Sequence, residues 1–121
     1  MTKESAVSLG TALRTLSGRT VTSIEFIHDY MQLRFGEATL TLNVYPKVIA
    51  DNNVLRRGDP GYLEALHELL GATVRDALAD DLVASVVFEN RIRLSVDLKD
   101  RDFSYPERLV FTDEDGHIWV A

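Results

Sequence analysis

The most constraining feature of the sequence is a pattern that occurs twice with identical spacing. Ala12-Leu13-x-x-Leu16-x-Gly18-x-Thr20-Val21 recurs as Ala65-Leu66-x-x-Leu69-x-Gly71-x-Thr73-Val74. Apolar residues at helical spacing, followed by a glycine, predict a helix that ends at the glycine and continues into a strand. Because the two patterns agree without a gap, we interpret the chain as a duplicated unit, with copies at approximately 5–50 and 59–121.

The helix of the second copy is the clearer of the two. Asp59 followed by Pro60 is typical of a helix start, and apolar residues at helical spacing lead from Tyr62 to Gly71. The first helix is predicted at about Glu4–Leu16.

Alternating apolar residues after each glycine predict strands. In the first copy, a turn at His28-Asp29 would place Phe26 opposite Met31, with both side chains on the buried face. The inward-facing residues of a third strand continue on that face, and the second copy is predicted to form the same arrangement of three strands. The inward residues are predicted to be Ile24, Phe26, Met31, Leu33, Phe35, Leu40, Leu42 and Val44, and then Ala77, Ala79, Ala84, Val86, Phe88, Ile92, Leu94 and Val96.

These elements predict an α+β fold in which the chain, residues 1–121, forms a single domain. We expect a mostly antiparallel sheet of about seven to nine strands with two helices on one face and pseudo-twofold symmetry between the copies. Two further hairpins are predicted, one within 46–58 and one at the end of the chain around the turn at 113–116, and residues 97–104 form a charged loop.

Composition excludes several functional classes. The chain has 121 residues, 45% of them hydrophobic, a net charge of −6 and no cysteine. The apolar fraction argues against intrinsic disorder, and the missing thiols exclude disulfide scaffolds, thiolate metal sites and cysteine nucleophiles. The acidic balance disfavours nucleic acid and anionic lipid as partners. No apolar run has the length of a signal peptide or a membrane span, so a cytoplasmic location without membrane contact is expected.

No motif in the sequence predicts catalysis, a cofactor or a metal. Asp113-x-Asp115-Gly116 resembles the middle of a calcium loop, but Phe111 stands at the first ligand position and the closing glutamate is missing, so a hairpin turn is the better interpretation. His28 and Tyr30 flank a turn without a nucleophile motif nearby. We therefore predict a protein that is not an enzyme.

Two sets of residues are candidates for binding. Leu78, Val83 and Val87 are predicted to point away from the buried face, and an exposed apolar row suggests a partner or a second copy of the chain. The other set would line a ligand pocket between helices and sheet and comprises His28, Tyr30 and Trp119.

The repeated Leu-x-Gly-x-Thr-Val unit, at Leu16–Val21 and Leu69–Val74, and the acidic α+β organisation resemble small bacterial domains of unknown function that include toxin-immunity proteins. The resemblance implies a domain that binds another protein, for example a basic toxin. Three functions follow as expectations: protein binding to a basic partner, small-molecule binding or a small enzyme with the pocket described above, and a structural homodimer.

Overall fold

The computed structural model describes residues 9–99 and 107–121. The beginning of the first predicted helix and most of the predicted charged loop lie outside the described residues. Helix α1 covers the described residues 9–13 and continues as a 3₁₀ turn at Arg14–Leu16, and helix α2 is Tyr62–His67. Neither of these helices has the length and apolar character that crossing a membrane requires.

The described residues include ten strands. They are β1 (Ser23–Ile27), β2 (Tyr30–Phe35), β3 (Ala38–Leu42), β4 (Lys47–Ala50), β5 (Asn53–Leu55), β6 (Val74–Ala79), β7 (Val83–Phe88), β8 (Arg93–Asp97), β9 (Leu109–Thr112) and β10 (Ile118–Val120). Every strand pairing is antiparallel. The fold is therefore α+β, as the sequence predicted.

The prediction of one sheet is wrong, because the strands form two five-stranded sheets. Their orders are β1-β2-β3-β9-β10 and β5-β4-β8-β7-β6. In each half of the chain three consecutive strands stay together, and the next hairpin joins the other sheet. Strands with one apolar face need a partner layer for that face, and splitting into two sheets lets each layer cover the other.

Both sheets contribute to one hydrophobic cluster. Alternating residues of β2, β3, β7 and β8 are buried in it, as the predicted inward rows require. The helices add Leu13 and Leu66, whose side chains are completely buried. The centre of the domain is thus filled by side chains from both sheets and both helices.

The predicted hairpin registers are confirmed, with one difference in burial. Phe26 pairs with Met31 and Ile24 with Leu33, around a turn at His28-Asp29. Met31 is fully buried, but Phe26 is 49% exposed. Because β1 is an edge strand, it has only one neighbouring strand, and its side chains are less buried than those of β2.

Helix α2 starts later than the sequence predicted. Asp59 is not its cap: the Asp59 carboxylate accepts a hydrogen bond from the backbone N–H of Arg56 at 2.8 Å, which closes a turn before the helix. Gly61, with φ of +88°, is the residue from which the helix begins, and no side chain caps it. The Asp59 carboxylate therefore bonds to the Arg56 N–H and does not cap the N-terminus of α2.

Candidate functional site

The tip of the β6–β7 hairpin carries an exposed apolar group. Leu78 is 43% exposed, Leu82 56% and Val83 38%. Leu78 pairs with Ser85 across the hairpin, so its side chain lies on the same outer face as Val83. Exposed apolar residues that lie close together are typical of binding surfaces. We call Leu78, Leu82 and Val83 the hairpin patch.

The turn that holds this patch is fixed by one carboxylate. Asp80 Oδ1 accepts hydrogen bonds from the backbone N–H groups of Leu82 at 2.8 Å and Val83 at 2.9 Å. These N–H groups, that of Val83 first, lower the pKa of Asp80 below its ordinary value, since they stabilise the ionised form. The carbonyl of Leu82 accepts a further hydrogen bond from the N–H of Leu98. The side chain of Leu82 is thus exposed, while its backbone N–H and carbonyl are both hydrogen-bonded.

A shallow groove of about 630 Å³ adjoins the hairpin patch. Residues of α1 form one wall, and the outer face of the hairpin forms the other. Gly10 allows the close approach, because a Cβ atom there would stand 3.0 Å from the backbone oxygen of Ala79. Arg14 and Asp80 are the charged residues of this groove. The site thus combines apolar side chains with groups of both charges.

The structure brings together part of the predicted exposed row. Leu78, Val83 and Val87 share the outer face of the second sheet, but Val87 is only half-exposed and pairs with Arg93 of β8. Leu82 was missed, because it falls in the turn rather than in the alternating pattern. The sequence signal that could have found it is the Asp80-Asp81 pair, since aspartate at the start of a turn commonly accepts hydrogen bonds from the next N–H groups.

The second predicted set does not form one pocket. The side chain of His28 is 92% exposed at the β1–β2 turn. Tyr30 is on β2, whereas Trp119 is on β10, three strands away, which corresponds to about 14 Å. The Trp119 ring stacks on Phe111, with centroids 5.9 Å apart, and packs against the core. These residues lie in different parts of the first sheet and on different faces.

The acidic turn between β9 and β10 brings three possible metal ligands together. The ligand atoms of Asp113, Asp115 and His117 lie within 4.8 Å of one another. However, Asp113 Oδ1 accepts the backbone N–H groups of Asp115 and His117, each at 2.9 Å, and its other carboxylate oxygen lies 3.3 Å from the His117 ring. The carboxylate is engaged in forming the turn, as the hairpin interpretation predicted.

Comparison with protein-family models, with curated proteins and with solved structures found no match for this chain.

Proposed function

We propose that this chain is a protein-binding domain without enzymatic activity, and that the hairpin patch is the centre of its binding surface. The observation that carries the proposal is the exposure of Leu78, Leu82 and Val83 at the tip of a hairpin whose turn is fixed by Asp80. A rigid apolar patch loses little conformational entropy on binding, which favours association.

Charge favours a basic partner. Asp80 and Asp81 stand in the turn itself, and Asp97 pairs with Val83 on the neighbouring strand. The whole chain carries a net charge of −6. Carboxylates around an apolar centre match the usual arrangement of a protein interface, in which a charged rim surrounds buried contacts. We therefore propose a partner that presents apolar side chains among lysines or arginines, and inhibition of a basic toxin is one concrete form of this function.

We also propose that the chain arose by duplication and has pseudo-twofold symmetry. Strand order supports this interpretation: β1-β2-β3 form a meander in one sheet and β4-β5 join the other, while β6-β7-β8 and β9-β10 do the same in the opposite sense. Under this correspondence the two helices take equivalent positions. The hairpin patch belongs to the second copy, and its leucines have polar or charged counterparts in the first.

The test is affinity capture from a lysate of the source organism with three immobilised forms of the protein. These are the wild type, Leu82→Lys, and the control Leu63→Lys, which changes a leucine of similar exposure on α2. We expect one stoichiometric partner that wild type and Leu63→Lys retain, that Leu82→Lys loses, and that elutes as the salt concentration rises.

Two results would contradict the proposal. If Leu82→Lys retains the same partner, the hairpin patch is not part of the binding surface. If retention does not change with salt concentration, the carboxylates do not contribute to binding. Light scattering on the purified protein measures its mass in solution and so tests the homodimer as the alternative function. A dimer that Val83→Lys converts to a monomer would assign the patch to self-association instead of a different partner.

A further inference from the structure

A second site lies between α2 and the edge strand β1, where an apolar groove of about 850 Å³ opens to the surface. Its walls include Phe26, Tyr45, Tyr62 and Leu63. Leu63 is 60% exposed and Phe26 is 49% exposed. Two large apolar side chains therefore face each other across a concave surface without being covered by the described residues.

One cation is positioned at the end of this groove. The Arg57 guanidinium lies over the Tyr45 ring, 3.9 Å from its centroid. Arg57 Nη2 donates to the His28 carbonyl at 3.5 Å, and the Tyr45 hydroxyl donates to the Ile27 carbonyl at 3.4 Å. The Tyr45 ring face and the His28 carbonyl hold the guanidinium in place, and the Ile27 carbonyl holds the Tyr45 hydroxyl. His28 thus contributes to this site through its backbone, and its ring is not involved.

A cationic cleft of about 320 Å³ begins on the other side of Arg57. Its described lining includes four cationic residues and one carboxylate, that of Asp97. The cationic residues are Lys47, Arg56, Arg57 and Arg108. Arg108 donates from Nε to the Asp97 carbonyl at 2.8 Å and is largely buried, so we assign ligand contacts only to the other three cations. Four of the 13 lysines and arginines of an acidic chain converge here. Among the described residues, the charge of this cleft is positive, whereas the net charge of the chain is −6.

The groove beside α1 has a different lining. When the two copies are aligned on the repeated pattern, Leu63 corresponds to Gly10 and Phe26 corresponds to Ala79. Gly10 allows the backbone of α1 to approach Ala79 closely, whereas the larger side chains of Leu63 and Phe26 line the groove beside α2. This comparison rests on the proposed duplication, but the lining residues and the charges of the site stand without it.

We infer that the groove and the cleft form one binding site for a small organic anion, in which a carboxylate or phosphate is joined to an apolar body. The anionic group would pair with Lys47, Arg56 and Arg57, and the apolar body would lie between Phe26 and Leu63. Asp59 and Glu64 also line the groove and disfavour a negative charge on the α2 side, so they set the orientation of the ligand. A guanidinium suits both kinds of anionic group, because it can donate two parallel hydrogen bonds.

The test uses four probes in NMR titrations of the full chain: 2-naphthoate, 2-naphthyl phosphate, uncharged 2-naphthalenemethanol and inorganic phosphate. We expect at least one naphthyl anion to bind with a Kd below about 1 mM and to shift the amide signals near Phe26, Tyr45, Arg57 and Leu63. The uncharged analogue and inorganic phosphate should each bind at least tenfold more weakly. The two naphthyl anions distinguish a carboxylate from a phosphate ligand.

Variants separate the two parts of the site. Arg57→Gln should weaken binding of the naphthyl anion at least tenfold, whereas the control Arg93→Gln, on the outer face of the second sheet, should not. Leu63→Ser should weaken binding of the naphthyl anion and leave the weak binding of inorganic phosphate unchanged. The matched control is Leu70→Ser, which changes a leucine of 49% exposure outside both proposed sites. If Arg57→Gln fails to fold, Lys47→Gln takes its place.

Equal affinity for the anions and the uncharged analogue would overturn the assignment of the cationic cleft. Shifts confined to other surfaces, or affinities that Arg57→Gln and Leu63→Ser do not change, would overturn the site itself. None of these results depends on the hairpin patch, so the outcome is independent of the proposed protein partner.

Discussion

Thr20 and Thr73 lie opposite each other in an isolated antiparallel bridge, with their hydroxyl oxygens 3.4 Å apart. The backbone bonds around them are reciprocal. Gly18 N–H donates to the Val74 carbonyl and Gly71 N–H to the Val21 carbonyl, at 2.8 and 2.9 Å. Val21 N–H donates to the Ala72 carbonyl and Val74 N–H to the Arg19 carbonyl, at 3.0 and 2.8 Å. The two bonds of each pair join corresponding positions of the two copies in opposite directions, and Thr20 and Thr73 are themselves equivalent in the repeat. The threonines therefore mark the place where the proposed copies meet.

The two glycines of this junction should be equally sensitive to substitution. Gly18 and Gly71 have φ angles of +85° and +84°, and a Cβ atom on either would meet nothing within 4 Å. Backbone strain is then the whole effect, and we expect Gly18→Ala and Gly71→Ala each to lower the free energy of unfolding by about 1–2 kcal/mol. Urea denaturation measures this. Gly71→Asn is the control and should cost less, since asparagine tolerates the left-handed conformation; unequal costs at the two glycines would argue against equivalent roles.

The hydroxyl of Tyr62 should contribute to stability through one buried bond. It donates to the Pro46 carbonyl at 2.6 Å. We expect Tyr62→Phe to lower the free energy of unfolding at pH 7 by about 1 kcal/mol, because the carbonyl loses its donor. Tyr30→Phe, on the outer face of the first sheet, should have a smaller effect. An equal loss of unfolding free energy in both variants would contradict a specific contribution of the buried hydrogen bond.

Alkaline pH should destabilise the chain through the same residue. Burial, with a smaller contribution from Tyr45, raises the pKa of Tyr62 far above its ordinary value, and Arg57 opposes this change only in part. A folded-state pKa above the unfolded-state pKa gives a stabilisation that is present below the unfolded-state value and lost as pH rises through the folded-state value. Urea denaturation at increasing pH above 10 should therefore show a smaller alkaline loss for Tyr62→Phe than for the wild type.

Acidic pH should remove the contribution of Asp80 to the hairpin turn. The folded-state pKa of Asp80 is lowered, so its stabilisation is present above the unfolded-state value of 3.8 and is lost as pH falls through the folded-state value. We expect Asp80→Ala to be less stable than the wild type at pH 7 and to approach it at pH values below that range. Asp81→Ala removes the same charge from the next residue and is the control. A stability difference that does not change with pH would contradict this role.

The two phenylalanines of the first hairpin should respond very differently to truncation. Phe35 is 1% exposed and belongs to the core, whereas Phe26 is half-exposed at the edge of the sheet. We expect Phe35→Ala to cost about 3–5 kcal/mol and Phe26→Ala less than about 1.5 kcal/mol in urea denaturation. Similar losses would mean that Phe26 packs in solution as the alternating pattern had predicted, and that the proposed ligand groove is closed.

The sequence predicted the local structure well, since it depends on residues close together in the chain. Alternation fixed the pairing of Phe26 with Met31. Gly18 follows the first helical segment after one residue, but α2 ends at His67, before the predicted stop at Gly71. Local chemistry also caused the errors at this level. Asp59 forms a turn with Arg56 in place of a helix cap, and a sequence pattern cannot rank two local hydrogen bonds that compete for one carboxylate.

The binding sites could be predicted only in part. Leu78 and Val83 were found because an alternating pattern reports which face of a strand a residue occupies. Leu82, in the turn, has no such pattern. The groove beside Arg57 joins β1, the segment before α2 and the chain after β3, which are far apart in sequence. No spacing rule relates these segments.

The sequence by itself therefore determined the α+β class, the antiparallel hairpins and most of the buried rows, Phe26 being the exception. Backbone periodicity and turn chemistry act over a few residues, which is why these features could be predicted. Only the tertiary structure decided that the strands divide into two sheets, that β1 and β6 lie at edges, and that cations from β4 and the 56–57 segment converge beside an apolar groove. Those features depend on how the apolar faces of distant segments pack against one another. The local sequence pattern does not specify this packing.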